Sequence, residues 1–384
     1  MKRILILEPY YGGSHRFFLE GLQTHVSAEY ILFTLPARKW KMRMQLSALW
    51  CIEKIKKLPL GERRFDTVLC SSFVDVAVLR ALLARVKGWN QAVRLCTYFH
   101  ENQMLYPERQ AIPQSFQFAA INFHSALASD KIAFNSSFNA ETFFSGCRRY
   151  LQAAAEMELL GTMSELRGRS SILFPGIDFT PIDRQSKESD PGPPVILWNH
   201  RWEHDKNPDR FFQALTEISA AGIAFRLIVL GKTFPNSPQC FADARSTFGE
   251  RVIHYGYAAS YADYIALLCR GDVVVSTALH EFFGIAIIEA VRAGCVPLLP
   301  DRLVYPELFA KEYLYRESKL VEKLAQALLH SRRLPTEKAH AITDRFSWRN
   351  LAPRYSQWLL EDARADCLQT PPADLCARLA ITNK

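Results

Sequence analysis

Short runs of apolar and β-branched residues recur along the chain, separated by stretches with helical period. RILILEP (3–9), EYILFTL (29–35), DTVLCSS (66–72), RLCTYF (94–99) and KIAFNSS (131–137) predict five strands, and the apolar positions of VDVAVLRALLARV (74–86) recur about every 3.6 residues. Such strands lack polar alternation, so both faces are buried, which predicts a parallel sheet covered by helices on both sides. SKESDPGPP (186–194) breaks the pattern with charge, proline and glycine and reads as a linker after a first α/β domain over residues 1–185. The alternation resumes at VILWN (195–199), AFRLIVLG (224–231), RVIHYGY (251–257), DVVVSTA (272–278) and CVPLLP (295–300), predicting a second parallel α/β domain over residues 195–345. Residues 346–384 read as a helical tail broken at Pro353, Pro371 and Pro372, one that could pack back on the first domain. Two doubly wound domains place the carboxyl ends of their strands on facing walls of a cleft, where ligands of such sheets bind.

Composition narrows the partner more than the fold. The 384 residues are 49% apolar and 22% charged, enough to build two cores and too apolar for disorder. A net charge of +8 favours an anionic partner such as a nucleotide, a nucleic acid or an anionic membrane surface. Nine cysteines, an odd number with no C-x-x-C, are expected to be reduced thiols of a cytoplasmic protein. No apolar run of about eighteen residues occurs, so a membrane-spanning segment is not expected.

The loops after the strands carry the candidate chemistry. EPYYGGSHRFF places Gly12 and Gly13 at a strand-to-helix turn, with Ser14 as the expected N-cap, where backbone N–H groups could meet a diphosphate. YFHENQMLYP begins like a zinc H-E-x-x-H, but Met104 stands where the second histidine belongs. NHRWEHDKNP sets Arg201 and Lys206 ahead of a helix expected to start near Pro208, two cations able to clamp a diphosphate. In HEFFGIAIIEAVRAG, Glu281 stands at a strand exit, Gly284 permits close approach, and a helix expected from about Phe283 carries Glu289. Six helical residues rise about 9 Å, so one ligand along that N-terminus could reach Phe283, Gly284 and both carboxylates. No D-x-D occurs, so no carboxylate pair of that type offers itself for a divalent metal on a diphosphate, and no metal is expected. LPARKWKMRMQLSALW interleaves Arg38, Lys39, Lys41 and Arg43 with Trp40, Met42 and Met44, which is either an RNA-binding surface or an amphipathic helix with a basic outer face.

H-E-F-F-G-x4-E at 280–289 with R-x4-K at 201–206 resembles the retaining family-4 glycosyltransferases, and P-G-I-D at 175–178 is similar to a run they carry before the interdomain hinge. That resemblance implies the GT-B fold, two Rossmann-like domains, and metal-independent transfer. Phe282 departs from it, standing where the broader family has glycine. A narrower likeness spans E-P-Y-Y-G-G-S-H (8–15), L-P-A-R-K-W-K-x-R-M (35–44), Y-F-H-E-N-Q-x-x-Y-P (98–107) and R-L-V-Y-P-E-L-F (302–309), stretches that resemble the tRNA-queuosine α-mannosyltransferases. It implies transfer of mannose from GDP-mannose to the cyclopentenediol of queuosine in an aspartate tRNA. By the same resemblance Arg201 and Lys206 hold the diphosphate, Glu281 the mannose, Glu289 the ribose, and His100 stands beside the reacting centre. Gly12 and Gly13 then face the donor, and His15, Glu101, Asn102 and Gln103, with the Arg38–Arg43 segment and Trp40, face the tRNA. The alternatives are a family-4 transferase with a lipid-linked or cell-surface acceptor, a sugar-nucleotide epimerase, and a non-catalytic RNA-binding protein on this scaffold. Exposed apolar residues beside a basic patch in the first domain would favour the lipid acceptor.

Overall fold

The computed structural model describes residues 1–105, 115–186, 191–330 and 333–361. The first half alternates β1 (Arg3–Tyr11), α1 (Gly13–His25), β2 (Glu29–Pro36), α2 (Trp40–Lys57), β3 (Thr67–Ser71), α3 (Val76–Leu83), β4 (Arg94–Phe99), α4 (Ser115–Ala128), β5 (Lys131–Phe134), α5 (Ser137–Gln152), α6 (Thr162–Gly168) and β6 (Ser170–Ile172). The second continues with α7 (Thr180–Asp183), β7 (Val195–Asn199), α8 (Pro208–Ala220), β8 (Arg226–Leu230), α9 (Cys240–Phe248), β9 (Val252–Gly256), α10 (Tyr261–Arg270), β10 (Val273–Val275), α11 (Ile285–Arg292), β11 (Val296–Pro300), α12 (Tyr305–Leu308), β12 (Leu314–Tyr315), α13 (Leu320–His330), α14 (Thr336–Thr343) and α15 (Trp348–Leu360).

The strands pair in parallel as β2-β1-β3-β4-β5-β6 and as β12-β11-β10-β7-β8-β9. Every residue of β3, β7 and β10 is buried, as strands covered on both faces must be. Strand order reverses between β1 and β3 in one sheet and between β7 and β10 in the other, and a ligand crevice opens at such a reversal. The loops after β1, β7 and β10 are the ones that carry the glycine pair, the Arg–Lys pair and the Glu281 motif.

Several boundaries differ from the sequence expectation. Strands β6 and β12, three and two residues long, were too short to show a period. Residues 180–183 belong to the second body, not the first: Ile182 is buried in its core, and Asp183 accepts from Arg292 Nε and Nη2 at 2.7 and 2.6 Å. Ser14 is not an N-cap, because α1 already begins at Gly13 and its cap position is Gly12. Pro353 does not break the tail, since α15 runs through it, while Pro371 and Pro372 lie outside the described residues.

The chain crosses between the bodies twice. At the second crossing Ile177 N donates to Phe346 O and Trp348 N to Ile177 O, and α15 then lies on the first sheet. There Thr67 Oγ1 donates to Leu359 O, and Tyr355 is buried with its hydroxyl 3.2 Å from that of Tyr98. Trp348 fits only because two glycines leave it room: a Cβ on Gly21 would lie 2.0 Å from its indole nitrogen, and one on Gly176 would lie 2.3 Å from its ring. Glu307 on α12 reaches across and accepts from Ser137 N and Phe138 N, the first amides of α5, at 2.8 and 2.9 Å. A carboxylate at a helix N-terminus meets orphan donors and the positive end of the dipole, so this contact holds the two bodies face to face.

Replacing Gly21 by alanine tests the Trp348 seat, because helix propensity alone favours alanine by about 1 kcal/mol. The clash reverses that sign, and Gly21→Ala is expected to destabilise by about 1–3 kcal/mol in urea unfolding. A gain in stability would show that Trp348 is not held there.

Candidate active site

On the first wall, β1 ends at a buried carboxylate. Glu8 Oε1 accepts from Tyr10 N and Ser71 Oγ at 2.8 and 3.1 Å, and Glu8 Oε2 accepts from His15 Nδ1 at 2.8 Å. The other imidazole nitrogen of His15 faces Glu101 Oε2 at 3.9 Å. Burial works against an imidazolium here, but Glu8 and Glu101 overcome it and raise His15 to about 10. The His100 ring lies 4.0 Å away, centroid to centroid, and burial together with the charge on His15 pushes it well below the ordinary histidine value. His15 is therefore charged and His100 neutral, side by side. Ligand atoms of Glu8, His15 and His100 all lie within 4.8 Å of one another, close enough to hold a cation if His15 gave up its proton.

The turn that follows β4 is held from behind. Asn135 Nδ2 donates to His100 O, Asn139 Nδ2 to Phe99 O, and Asn102 Nδ2 to Asn139 Oδ1, at 2.7–2.9 Å. Asn102 was expected to bind the acceptor, but it is fully buried and its amide oxygen accepts from Met104 N. It fixes the turn and offers nothing to the cleft. Sequence reading missed Asn135 and Asn139; the signal was N-S-S-F-N directly after the fifth strand. The Gln103 backbone is held by Asn122, while Tyr106 and Pro107 of the same motif lie outside the described residues. Gly12 is extended and has no room for a Cβ, which would lie 2.7 Å from that of Ala37, while Gly13 has φ +52 with open space where a side chain would point, leaving its backbone accessible.

On the second wall the loops after β7 and β10 are joined. Thr277 Oγ1 donates to Lys206 O and Asn207 O, and Leu279 N to Asp205 O. Lys206 is buried and its ammonium reaches His280 O at 2.6 Å, Asp205 at 3.2 Å and Glu281 at 3.3 Å. Burial alone would raise the Glu281 carboxyl, but Lys206, His200 and the Phe283 N–H hold it down at about 2. Arg201 extends from the same loop with Glu203 at 2.8 Å, and its charge is felt by Tyr10 and Glu101 on the opposite wall. His280 is likewise felt by Glu101, and Ser136 Oγ donates to Phe282 O at 2.7 Å, so the two walls meet at the Glu281 loop.

Helix α11 begins at Ile285, two residues later than expected, after Gly284 at φ +85. Glu289 therefore lies about one turn in. The Phe283 ring packs on Phe174 and Phe346 in the core, so a ligand could meet only its backbone. Tyr264 OH donates to Glu289 Oε2 at 2.7 Å and accepts from Asn199 Nδ2 at 2.9 Å. Burial nevertheless raises the Glu289 carboxyl to about 7 against the Tyr264 and Tyr261 hydroxyls. These tyrosines were not foreseen, although S-Y-A-D-Y places them three apart on one helical face.

The basic segment forms the start of α2, outside the first sheet. Trp40 is not a free stacking surface, since it packs on Phe118 at 5.1 Å and Phe73 at 6.4 Å with Lys41 over its ring. Arg38 and Lys39 are exposed, and Met42, Leu46 and Leu49 form an exposed apolar stripe beside them. Among the described residues no helix is long and apolar enough to cross a membrane.

Residues 3–177 match the family described as tRNA-queuosine alpha-mannosyltransferase N-terminal, and residues 179–344 match glycosyl transferases group 1. A tRNA-queuosine alpha-mannosyltransferase of Drosophila melanogaster is 31% identical over 369 residues, covering 92% of this chain and 95% of that protein. A GDP-mannose:cellobiosyl-diphosphopolyprenol alpha-mannosyltransferase of Xanthomonas campestris is 25% identical over 177 residues, 42% of this chain and 45% of its own. Among solved structures, Anabaena Alr3699/HepE in complex with UDP superposes with a TM-score of 0.65 at 14% identity, covering 93% of this chain and 99% of the other. The apo lipopolysaccharide outer core galactosyltransferase WaaB gives 0.63 at 13%, with the same coverage. The structural likenesses carry the fold, the GT-B arrangement of two facing sheets.

The charge on His15 is directly observable. In an NMR titration its ring is expected to stay imidazolium through neutral pH and to release its proton only near 10, while His100 stays neutral. The folded value lies above the ordinary 6.5, so the pairing stabilises fully below that pH and is lost as pH rises through about 10. Glu8→Gln should bring the His15 titration back toward neutrality and flatten stability across this window. Titration of wild-type His15 near 6.5 would refute the imidazolium.

Proposed function

The chain belongs to the tRNA-queuosine alpha-mannosyltransferases, a family of glycosyltransferases, and on that premise we propose that it moves mannose from GDP-mannose to the cyclopentenediol of queuosine in an aspartate tRNA. The observation that supports this best is the meeting of Lys206, Glu281 and the α11 N-terminus on one wall with His100 and Glu101 on the other. Arg201 and the α11 amides take the diphosphate, Glu281 the mannose hydroxyls, and Glu289 the ribose diol. Lys206 neutralises Glu281 within the wall and adds its charge to the diphosphate side. The bond from the anomeric carbon to the diphosphate oxygen breaks while one to the acceptor hydroxyl forms on the same face, giving retention. The hydroxyl proton passes to the leaving diphosphate, and neutral His100 orients the sugar without forming a bond to it. Leaving-group charge is met by fixed cations and amides, so we propose that the reaction needs no divalent metal and takes place in the cytoplasm.

A second reading has one observation in its favour. The stripe of Met42, Leu46 and Leu49 beside Arg38 and Lys39 would suit docking on an anionic membrane, as a lipid-linked acceptor requires. The likeness to the polyprenol-directed enzyme spans less than half of the chain, whereas the queuosine-directed relative matches it nearly end to end.

Incubation with GDP-mannose and tRNA, followed by nucleoside mass spectrometry, should show one hexose on queuosine and none on tRNA lacking it. Glu281→Ala and Lys206→Ala should lower transfer at least a hundredfold with tRNA affinity nearly unchanged. Transfer should persist in EDTA; loss that a divalent ion restores would instead show that a cation takes part in the reaction. Hexose on a lipid and on no tRNA nucleoside would overturn the reading.

The Glu289 carboxyl gives a pH signature. A ribose diol donates to the ionised form, so GDP affinity measured by calorimetry should weaken below about pH 7, by up to about tenfold per unit. Glu289→Gln should bind more weakly and show no such slope. An unchanged slope in that variant would assign it to another group.

A further inference from the structure

Beside the cleft, α2 and the edge strand β2 enclose a groove of about 540 Å³ lined by Leu35, Met42, Leu46 and Trp50, with Arg38, Lys39 and Arg43 among its lining residues. We propose that this groove receives one unstacked nucleobase of a single-stranded RNA loop, adjacent to the nucleotide in the cleft. The proposal rests on the tRNA reading above and adds a second base-binding site to it.

Four observations carry it. First, α2 has more apolar surface than its core contacts need: Met44, Ala48, Cys51, Ile52 and Ile55 are buried on one side, while Met42 and Leu46 remain half exposed at 50% and 52% on another. Second, the segment from Pro36 to Ile52 holds four cations and no acidic residue, and none of Arg38, Lys39, Lys41 and Arg43 makes an ion pair among the described residues. A solvated structural face would be expected to mix signs, whereas a row of unpaired cations suits phosphates. Third, the space is concave and lined by Leu35, Met42, Leu46 and Trp50, an apolar floor beside Arg38, Lys39 and Arg43; the Trp50 ring carries Lys54 at 5.8 Å and meets Phe33 edge-on, so the base packs chiefly on the aliphatic side chains. Fourth, the groove adjoins the cleft. Ala37 packs on Gly12, and Trp40 at the head of α2 leans on Phe73, which touches Tyr10 and His15. Lys39 holds the left-handed conformation at this junction, φ 54 and ψ 44, so the chain turns sharply where groove and cleft meet.

The probe is an anticodon stem-loop carrying queuosine, with abasic sites placed one at a time at its other loop positions. Leu46→Gln keeps the fold because Leu46 is half exposed. Wild type should lose about tenfold in affinity at one abasic position. Leu46→Gln should bind the intact stem-loop about tenfold more weakly, with no further loss at that position. In transfer assays Leu46→Gln should raise KM for the stem-loop and leave kcat and GDP affinity unchanged. If hexose transfer proceeds normally and no abasic position couples to Leu46, the groove assignment fails while the tRNA reading stands. If wild type transfers nothing to the stem-loop, the tRNA reading itself fails. Binding to phosphatidylserine vesicles that Leu46→Gln abolishes would overturn the proposal in favour of a membrane surface.

Discussion

Both ends of the second body, where the chain enters it and where it leaves, are tied to one buried guanidinium. Arg292, at the end of α11, donates to Asp183 just after the chain enters the second body, and to Asp344 just before it leaves. Its plane also lies over the Phe179 ring at 4.7 Å. A buried cation is tolerated only when its donors are met, and the planar fork meets carboxylates in two directions at once; a lysine would satisfy one and strand the other. Glu289 lies three residues earlier on the same helix, so the residue that would read the ribose and the residue that fixes both crossings move as one rigid turn.

The same logic runs through the cleft. On each wall a buried cation is set between two carboxylates: His15 between Glu8 and Glu101, and Lys206 between Asp205 and Glu281. Burial opposes the charge on His15 and on Glu281, and their oppositely charged neighbours keep both ionised. Charges held this way need little reorganisation when a reacting diphosphate or hydroxyl arrives, which is the condition under which electrostatics lowers a barrier most.

How much of this was legible depended on whether one segment alone held the information. Ten strands declared themselves as apolar runs, and the loops with Gly12, Arg201 and Glu281 fell at the sheet reversals because α/β topology puts them there. What could not be read involved partners far apart in sequence. Asn102 looked free for a ligand until Asn139 was seen to occupy it, and Trp40 looked exposed until Phe73 and Phe118 covered it. Tyr264 became a Glu289 partner only through the packing of α10 beside α11. The interdomain boundary was misplaced for the same reason, since it is the packing of Ile182 in the second core and the contact of Asp183 to Arg292 that assign this segment to the second body.

Phe282 joins these threads. Its carbonyl accepts from Ser136, the N-cap of α5. Glu307 caps the next two amides of that helix, while the Ser136 side chain caps Asn139 N, so the α5 N-terminus is held jointly by its own N-cap and by the second body. On the near side, Ser136 follows Asn135, which fixes the His100 carbonyl; on the far side, Phe282 follows Glu281. The residues next to His100 and Glu281 are thereby tied to one another across the bodies. Separation of the bodies would break three hydrogen bonds, from Ser136 Oγ to Phe282 O and from the Ser137 and Phe138 amides to Glu307, and so loosen the support of both loops.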